Sequence, residues 1–249
     1  MIELEITYLL FFFSLVILQT IVGVGVLVLG TPILLILNYD IVQAISILLP
    51  ISILTSLINL FYFKFIQKIS ILDSGSNIIK KSFFTICIPA IFFGLILLKY
   101  FQNEINFKIL VSIFILTSLI IKKNYNNFFL SLSTLNRKAI LFGIGLMHGL
   151  TNSGGTLLSI FILNINKNLK FKTRYNLTFF YFFLALLQYF IFIFLFQIVI
   201  YFDVLFDLIL TIFIGVLVGN FLVQYISDKK FNYLIEILAL ISAIFLIAN

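Results

Sequence analysis

Cysteine and histidine occur once each in these 249 residues, tryptophan is absent and proline occurs three times. A single thiol, Cys87, excludes an internal disulfide framework and a cysteine metal cluster. A single histidine, His148, excludes the paired-histidine metal sites of soluble metalloenzymes. Charge is scarce too: 10% of the residues are Asp, Glu, Lys or Arg, against about 25% in a soluble domain. Residues 1–5 carry neither a positive n-region nor a small-residue cleavage pattern, so the chain is expected to open with mature protein and not with a cleaved leader.

What is present is apolar. Hydrophobic residues make up 63% of the chain and the mean hydropathy is +1.24, more apolar surface than a soluble fold of this length can hide. The expected solvent is lipid. Apolar blocks run over 6–38, 41–63, 78–98, 105–121, 139–164, 177–201, 204–225 and 231–247. Six of them are near the ~20 residues that cross a ~30 Å hydrocarbon core. The first would be ~50 Å long as one helix, and Gly23, Gly25, Gly30 and Pro32 interrupt it. Gly143, Gly145, Gly149 and then Asn152-Ser153-Gly154-Gly155 interrupt the fifth.

Each interrupted block is either one overlong crossing or a helix that breaks and returns to its own side. Positive charge separates the two. If every block crosses once, lysine and arginine divide evenly between the faces. If blocks one and five are re-entrant, only Lys99 and Lys108 fall on one face and the other fourteen of the 16 fall on the opposite one. The positive-inside rule selects the re-entrant arrangement, with both termini outside a plasma (inner) membrane. Tyr8, Tyr39, Tyr62, Tyr100, Tyr201, Tyr225 and Tyr233 lie near the block ends, where amphipathic rings favour the interface.

Gly30-Thr31-Pro32-Ile33-Leu34-Leu35 recurs half a chain later as Gly155-Thr156-Leu157-Leu158-Ser159-Ile160. The expectation is an all-α integral membrane fold of about eight hydrophobic segments in two inverted repeats, residues 1–124 and 125–249, with segments one and five broken at glycine-rich motifs. Inverted repeats with matching broken helices point to a secondary transporter and to its site.

Several segments resemble the sulfite exporter TauE/SafE family: Gln19-Thr20-Ile21-Val22-Gly23-Val24-Gly25, Gly30-Thr31-Pro32, Leu48-Leu49-Pro50-Ile51-Ser52, Ser56-Leu57-Ile58-Asn59 and Met147-His148-Gly149-Leu150-Thr151-Asn152-Ser153-Gly154-Gly155-Thr156. The resemblance implies an integral membrane transporter of small sulfur-containing anions such as sulfite or C2 sulfonates. The first break departs from the family pattern, with valines between Gly23 and Gly25 and before Gly30, which leaves the substrate within the family open.

Backbone that leaves helical geometry at membrane depth must be buried in protein or line an aqueous cavity. The breaks are expected at residues 25–31 and 149–156, each followed by a short helix, 31–37 and 156–163. The first turns of such helices carry free N–H groups and the positive end of a dipole, and bind anions without Lys or Arg. Candidate anion contacts are Gly25, Gly30, Thr31, Asn152, Ser153, Gly154, Gly155 and Thr156. Packing of small residues between helices is the alternative role for the glycines. His148 is the one group at that depth that titrates near neutrality, and either couples transport to protons or sits neutral against a carbonyl. Ser52, Ser56 and Asn59 share a helix face by their i, i+4, i+7 spacing, Tyr181 and Gln188 are seven apart, and Gln19, Asn59 and Gln188 are candidates to line the path along these faces. Interhelical hydrogen bonding is their alternative role. Arg174 reads as an anchor to phospholipid headgroups in preference to an attractor of anions.

Other classes have little to build on. A carboxylate-based sodium site or a membrane enzyme needs acidic groups at membrane depth, where Glu236 is the sole candidate and can snorkel. No cofactor and no metal are expected. The expected partners are a small anion and the lipid bilayer, with no nucleic acid, and a homodimer is left open. An anion channel, or an uptake carrier for a small organic anion, is the competing transport reading.

Overall fold

The computed structural model describes residues 6–68, 74–124, 134–166, 169–197 and 202–248. Residues 1–5, Lys167, Tyr201 and Asn249, on which parts of the topology expectation rest, lie outside them. The described chain is helical and contains no strand: α1 (Ile6–Val22), α2 (Val26–Ile36), α3 (Ile41–Phe65), α4 (Ser74–Phe101), α5 (Phe107–Asn124), α6 (Thr134–Thr151), α7 (Gly154–Ile165), α8 (Lys170–Phe196), α9 (Phe202–Leu222) and α10 (Asp228–Ala248). Both blocks expected to be broken are split into two helices. Four stretches are long and apolar enough to cross a membrane: Ile41–Phe65, Lys80–Phe101, Lys170–Phe196 and Leu208–Tyr225.

Polarity is distributed opposite to that of a water-soluble protein. Gln19, Ser52, Asn59, His148, Asn152, Gln188 and Asn220 are buried, while Phe61, Phe93, Phe190, Phe194, Leu210 and Phe221 face outward. In lipid this is the stable arrangement, because outward side chains match the hydrocarbon and polar groups find partners only inside. The chain is a membrane protein.

Capping and packing explain the frame. α3 starts where Asp40 accepts a hydrogen bond from the Gln43 backbone N–H at 2.8 Å and Gln43 Oε1 accepts one from Asp40 N–H at 3.1 Å, a capping box that satisfies two otherwise free donors. Just before it, Asn38 takes a left-handed φ of 65° that ends the α2 turn. α2 folds back along α1, so the Tyr8 and Tyr39 hydroxyls come within 3.5 Å of each other.

α1 lies against α9, α4 against α6, α3 against α8, and α5 against α10, with α2 packed on α3 and α10. Two pairs close up on glycines spaced four apart. A Cβ on Gly215 or Gly219 of α9 would come within 2.8 Å of Val16 and 2.6 Å of Thr20 on α1. A Cβ on Gly145 or Gly149 of α6 would meet the backbone oxygens of Cys87 and Ile91 on α4 at 2.6 and 2.3 Å. Such glycines let backbones approach where no hydrophobic drive exists between helices. Gly149 is therefore a packing residue and does not open the second break.

Lysines cap the ends of neighbouring helices. Lys99 Nζ donates to the Leu195 carbonyl at 2.9 Å in the last turn of α8. Lys170 Nζ donates to Val223 O at 3.2 Å and to Ile226 O, past the end of α9. Both put a cation at the negative end of a helix dipole.

Candidate functional site

The first break is tighter and earlier than expected. It spans residues 23–25, with Gly23 at φ 90° and α2 starting at Val26 instead of Thr31. A Cβ on Gly23 would sit 2.8 Å from Leu177 Cβ, and one on Gly25 would sit 2.8 Å from the Gln19 nitrogen, so both positions need glycine. Gln19 holds the break: its Oε1 accepts from Val26 N–H at 3.1 Å and from Ser52 Oγ at 3.2 Å, while its Nε2 donates to Ser52 O and Ser56 Oγ, both at 3.0 Å. The side chain thus serves as a cap from the preceding helix and satisfies one of the free donors of α2.

Gly30 and Thr31 consequently lie inside α2. A Cβ on Gly30 would strike Leu48 at 2.6 Å and approach Leu15 at 3.2 Å, so its role is close packing. Thr31 Oγ is fully buried without a partner.

The second break is carried by Asn152, at φ 61°, and by Ser153. Asparagine is among the few residues that tolerate this left-handed conformation. The Ser153 and Thr151 hydroxyls bond to each other, and Thr156 Oγ donates to Ser153 O. α7 starts at Gly154, two residues before the expected Thr156. A Cβ on Gly154 would fall 2.4 Å from Ile144 O. One on Gly155 would fall 2.6 Å from Tyr181 Cε2 and 2.9 Å from Val28 Cγ2.

The two short helices therefore meet start to start around Tyr181. Its ring touches Gly155 of α7, and its hydroxyl lies near the backbone N–H groups of Leu27 and Val28 in the first turn of α2 without closing a regular hydrogen bond. His148 stands beside it, ring centroids 5.9 Å apart, fully buried and with neither ring nitrogen bonded. Gln188 Nε2 donates to the His148 carbonyl at 3.0 Å and leaves its Oε1 free. Both polar atoms of the Asn152 side chain are also buried and unpaired. Buried polar atoms are normally satisfied, so this group marks either stored strain or a site built for something that enters. Beside it, Val22, Val24 and Val28 face Thr156 and Ser159 across a cavity of about 10 Å³, walled by Ile235, Leu238 and Ala239 of α10. It has room for about one water. Among the described residues no three His, Cys, Asp or Glu come together.

Nearly the whole chain, residues 8–246, matches the family model described as Sulfite exporter TauE/SafE. The chain belongs to the sulfite exporter TauE/SafE family. No curated protein and no solved structure matches it. TauE/SafE proteins are membrane transporters, which accords with the buried polar interior and the apolar exterior of the helices.

In this TauE/SafE chain the expected site residues divide into two groups, with Thr31 outside both, buried within α2 and its hydroxyl unbonded. His148, Asn152, Gly154, Gly155, Thr156 and Gln188 gather at the meeting of α2 and α7, with Ser153 closing the turn. Gln19, Gly25, Gly30 and Asn59 are committed to protein partners: Asn59 Nδ2 donates to Thr20 Oγ and to Thr55 O, both at 3.0 Å. Sequence reading set Tyr181 beside Gln188 on a face that could line the path, but did not give it the central place it holds here, and gave Asn220 no role. It also put Arg174 at the headgroups, whereas the side chain is completely buried, with Nε donating to Thr20 O and Nη2 to Asn220 Oδ1, both at 2.6 Å. The signal available was the spacing: Arg174, Tyr181 and Gln188 are seven apart and so lie on one stripe of α8.

Proposed function

We propose that this TauE/SafE chain is a secondary transporter of a small anion, sulfite or a short organosulfonate, which binds where the starts of α2 and α7 meet beside Tyr181. The observation that carries the reading is the gathering, around the starts of the two short helices, of buried side chains with unbonded polar atoms: the Tyr181 hydroxyl, the His148 ring nitrogens and the Asn152 amide. Helix starts and oriented dipoles stabilise negative charge without a resident cation. The free ring nitrogens of His148 allow it to add charge by taking a proton as the anion arrives.

The closed state of the site supports alternating access. A cavity for one water does not admit a sulfur oxyanion, so the α2 and α7 starts must separate from α10 for substrate to enter. A carrier fits that requirement better than an open pore.

The helix neighbours support two inverted repeats. If α1–α5 correspond to α6–α10, then the α1–α9 pair exchanges with α6–α4, while α3–α8 and α5–α10 map onto themselves. Tyr8 beside Tyr39 supports a re-entrant α1–α2 hairpin. Lys99 on the α8 end supports the same topology, since single crossings would put those two ends on opposite faces. The fourteen-to-two bias then orients both termini outside a plasma membrane. Export is the direction that the family description names.

A binding screen on purified protein tests the substrate class. Sulfite, sulfate, thiosulfate, taurine, isethionate and sulfoacetate are compared by thermal shift. A raised melting temperature with one or more of the sulfur anions is expected, since a ligand that binds only the folded state stabilises it. Stabilisation by uncharged solutes and by none of the anions would overturn the reading.

A further inference from the structure

Arg174 is the buried cation that the site beside Tyr181 does not use. Its guanidinium has no solvent exposure and no carboxylate within bonding distance among the described residues. Its partners are neutral: the Thr20 carbonyl, the Asn220 amide oxygen and the face of Phe63, whose ring centre lies 4.8 Å away. Nη1 has no acceptor at all. Burying a charge is costly unless it is paired, and at membrane depth intrinsic ionisable groups mark ion pathways by default. A planar guanidinium with free N–H groups suits a carboxylate, phosphate or sulfur oxyanion, which it grips with two parallel bonds.

Its place in the fold gives the missing acceptor an identity. Arg174 backs directly on the first break, since a Cβ on Gly23 would be 3.1 Å from its carbonyl. Tyr181 lies about 10 Å along the same stripe of α8, and Gln188 about 10 Å further, at ~1.5 Å per residue. All three are fully buried, and each retains an unbonded polar atom, Nη1, Oη and Oε1. α3, packed opposite, contributes Asn59, whose Oδ1 accepts from Asn220 Nδ2 at 3.1 Å and so ties Asn220 in place against the arginine.

We infer that Arg174 is a second oxyanion-binding residue, one station along the path from Tyr181 toward the first turn of α8, which receives the same sulfur oxyanion on the side of the membrane where α8 begins. This rests on the proposed transport of such an anion. With the site empty, Asn220 and Phe63 hold the guanidinium ready; the arriving anion supplies the counter-charge that the fold withholds, and passes on toward Tyr181 as the half-helix starts open.

A carboxylate placed by mutation separates this role from that of a structural staple. Asn220→Asp gives Arg174 a resident anion without removing it. Purified wild type, Asn220→Asp, Arg174→Gln and Arg174→Lys are reconstituted, and radiolabelled sulfite uptake is measured from each face of sealed proteoliposomes, with melting temperatures alongside. Asn220→Asp is expected to lose about tenfold to a hundredfold in apparent sulfite affinity from the face where α8 begins. Arg174→Gln is expected to lose a similar factor from that face, and Arg174→Lys to recover part of it. A folded Asn220→Asp whose sulfite affinity equals wild type from both faces would show a staple and overturn the inference while leaving the proposed transport standing. Wild type that takes up no sulfur oxyanion from either face would overturn both.

Discussion

Gly155 and Gly143 are close in sequence, yet they carry opposite expectations. A methyl on Gly155 meets the Tyr181 ring and Val28 at under 3 Å, whereas one on Gly143 meets nothing within 4 Å. Gly155→Ala is expected to cost about 1–3 kcal/mol, as overpacking does, and to weaken sulfite binding by pushing Tyr181 off the start of α2. Gly143→Ala is expected to be neutral or to stabilise by up to about 1 kcal/mol through helix propensity. Melting curves and sulfite titrations of the two variants check this; equal behaviour would mean that Gly155 is only a flexible point. In the proposed mechanism His148 takes up a proton with the arriving anion, so His148→Gln is expected to remove the pH dependence of the transport rate. An unchanged pH profile would leave His148 a polar contact with no part in coupling. At this scale most of the site was legible in the sequence, because His148, Asn152, Gly155, Thr156 and Gln188 are polar or small where the surroundings are apolar. Arg174 was misread because a cation near a span end usually snorkels, and only the packing of α3 and α9 against α8 reveals that Phe63 and Asn220 enclose it.

The broken helices were legible as elements but not in their boundaries. Gly30-Thr31-Pro32 looks like a helix start, with proline fit for the first turn, yet the chain breaks seven residues earlier at Gly23. What decides the position is tertiary: Gln19 reaches forward to cap Val26 while bonding Ser52 and Ser56 of α3, and Gly30 is kept small for Leu48. At the second break Asn152 itself takes the left-handed turn. The six-residue repeat therefore occupies different turns of the two short helices, the second turn of α2 and the first of α7. The α1–α2 hairpin has a direct consequence for labelling. Cysteines introduced singly at Thr7 and Asn38 are expected to react with an impermeant maleimide from the same face of sealed vesicles, against a background in which the native Cys87 is buried. Reaction from opposite faces would mean that α1 and α2 together cross the membrane.

For the molecule as a whole, the composition that rules out a soluble fold also explains why the positive charge says little about the substrate. Lys99 and Lys170 are occupied with helix ends, and the bias of the remainder reads as topology. In the proposed mechanism, selectivity for an anion rests instead on uncharged groups at two helix starts and on one buried arginine, none of which is visible in net charge. The overall class was readable from hydropathy, since burial of polar groups inside an apolar shell follows from the solvent alone. The pairing of α1 with α9 and of α4 with α6 was not, because it depends on the glycine face of α9 meeting α1 and that of α6 meeting α4. The most direct test of anion binding between the half-helix starts and release on either side is exchange in proteoliposomes. Uptake of radiolabelled sulfite is measured with and without unlabelled sulfite inside, for wild type and Gly155→Ala. Acceleration by internal sulfite in wild type, strongly reduced in Gly155→Ala, is the expected result; uptake indifferent to internal sulfite, or acceleration unaffected by the substitution, would contradict it.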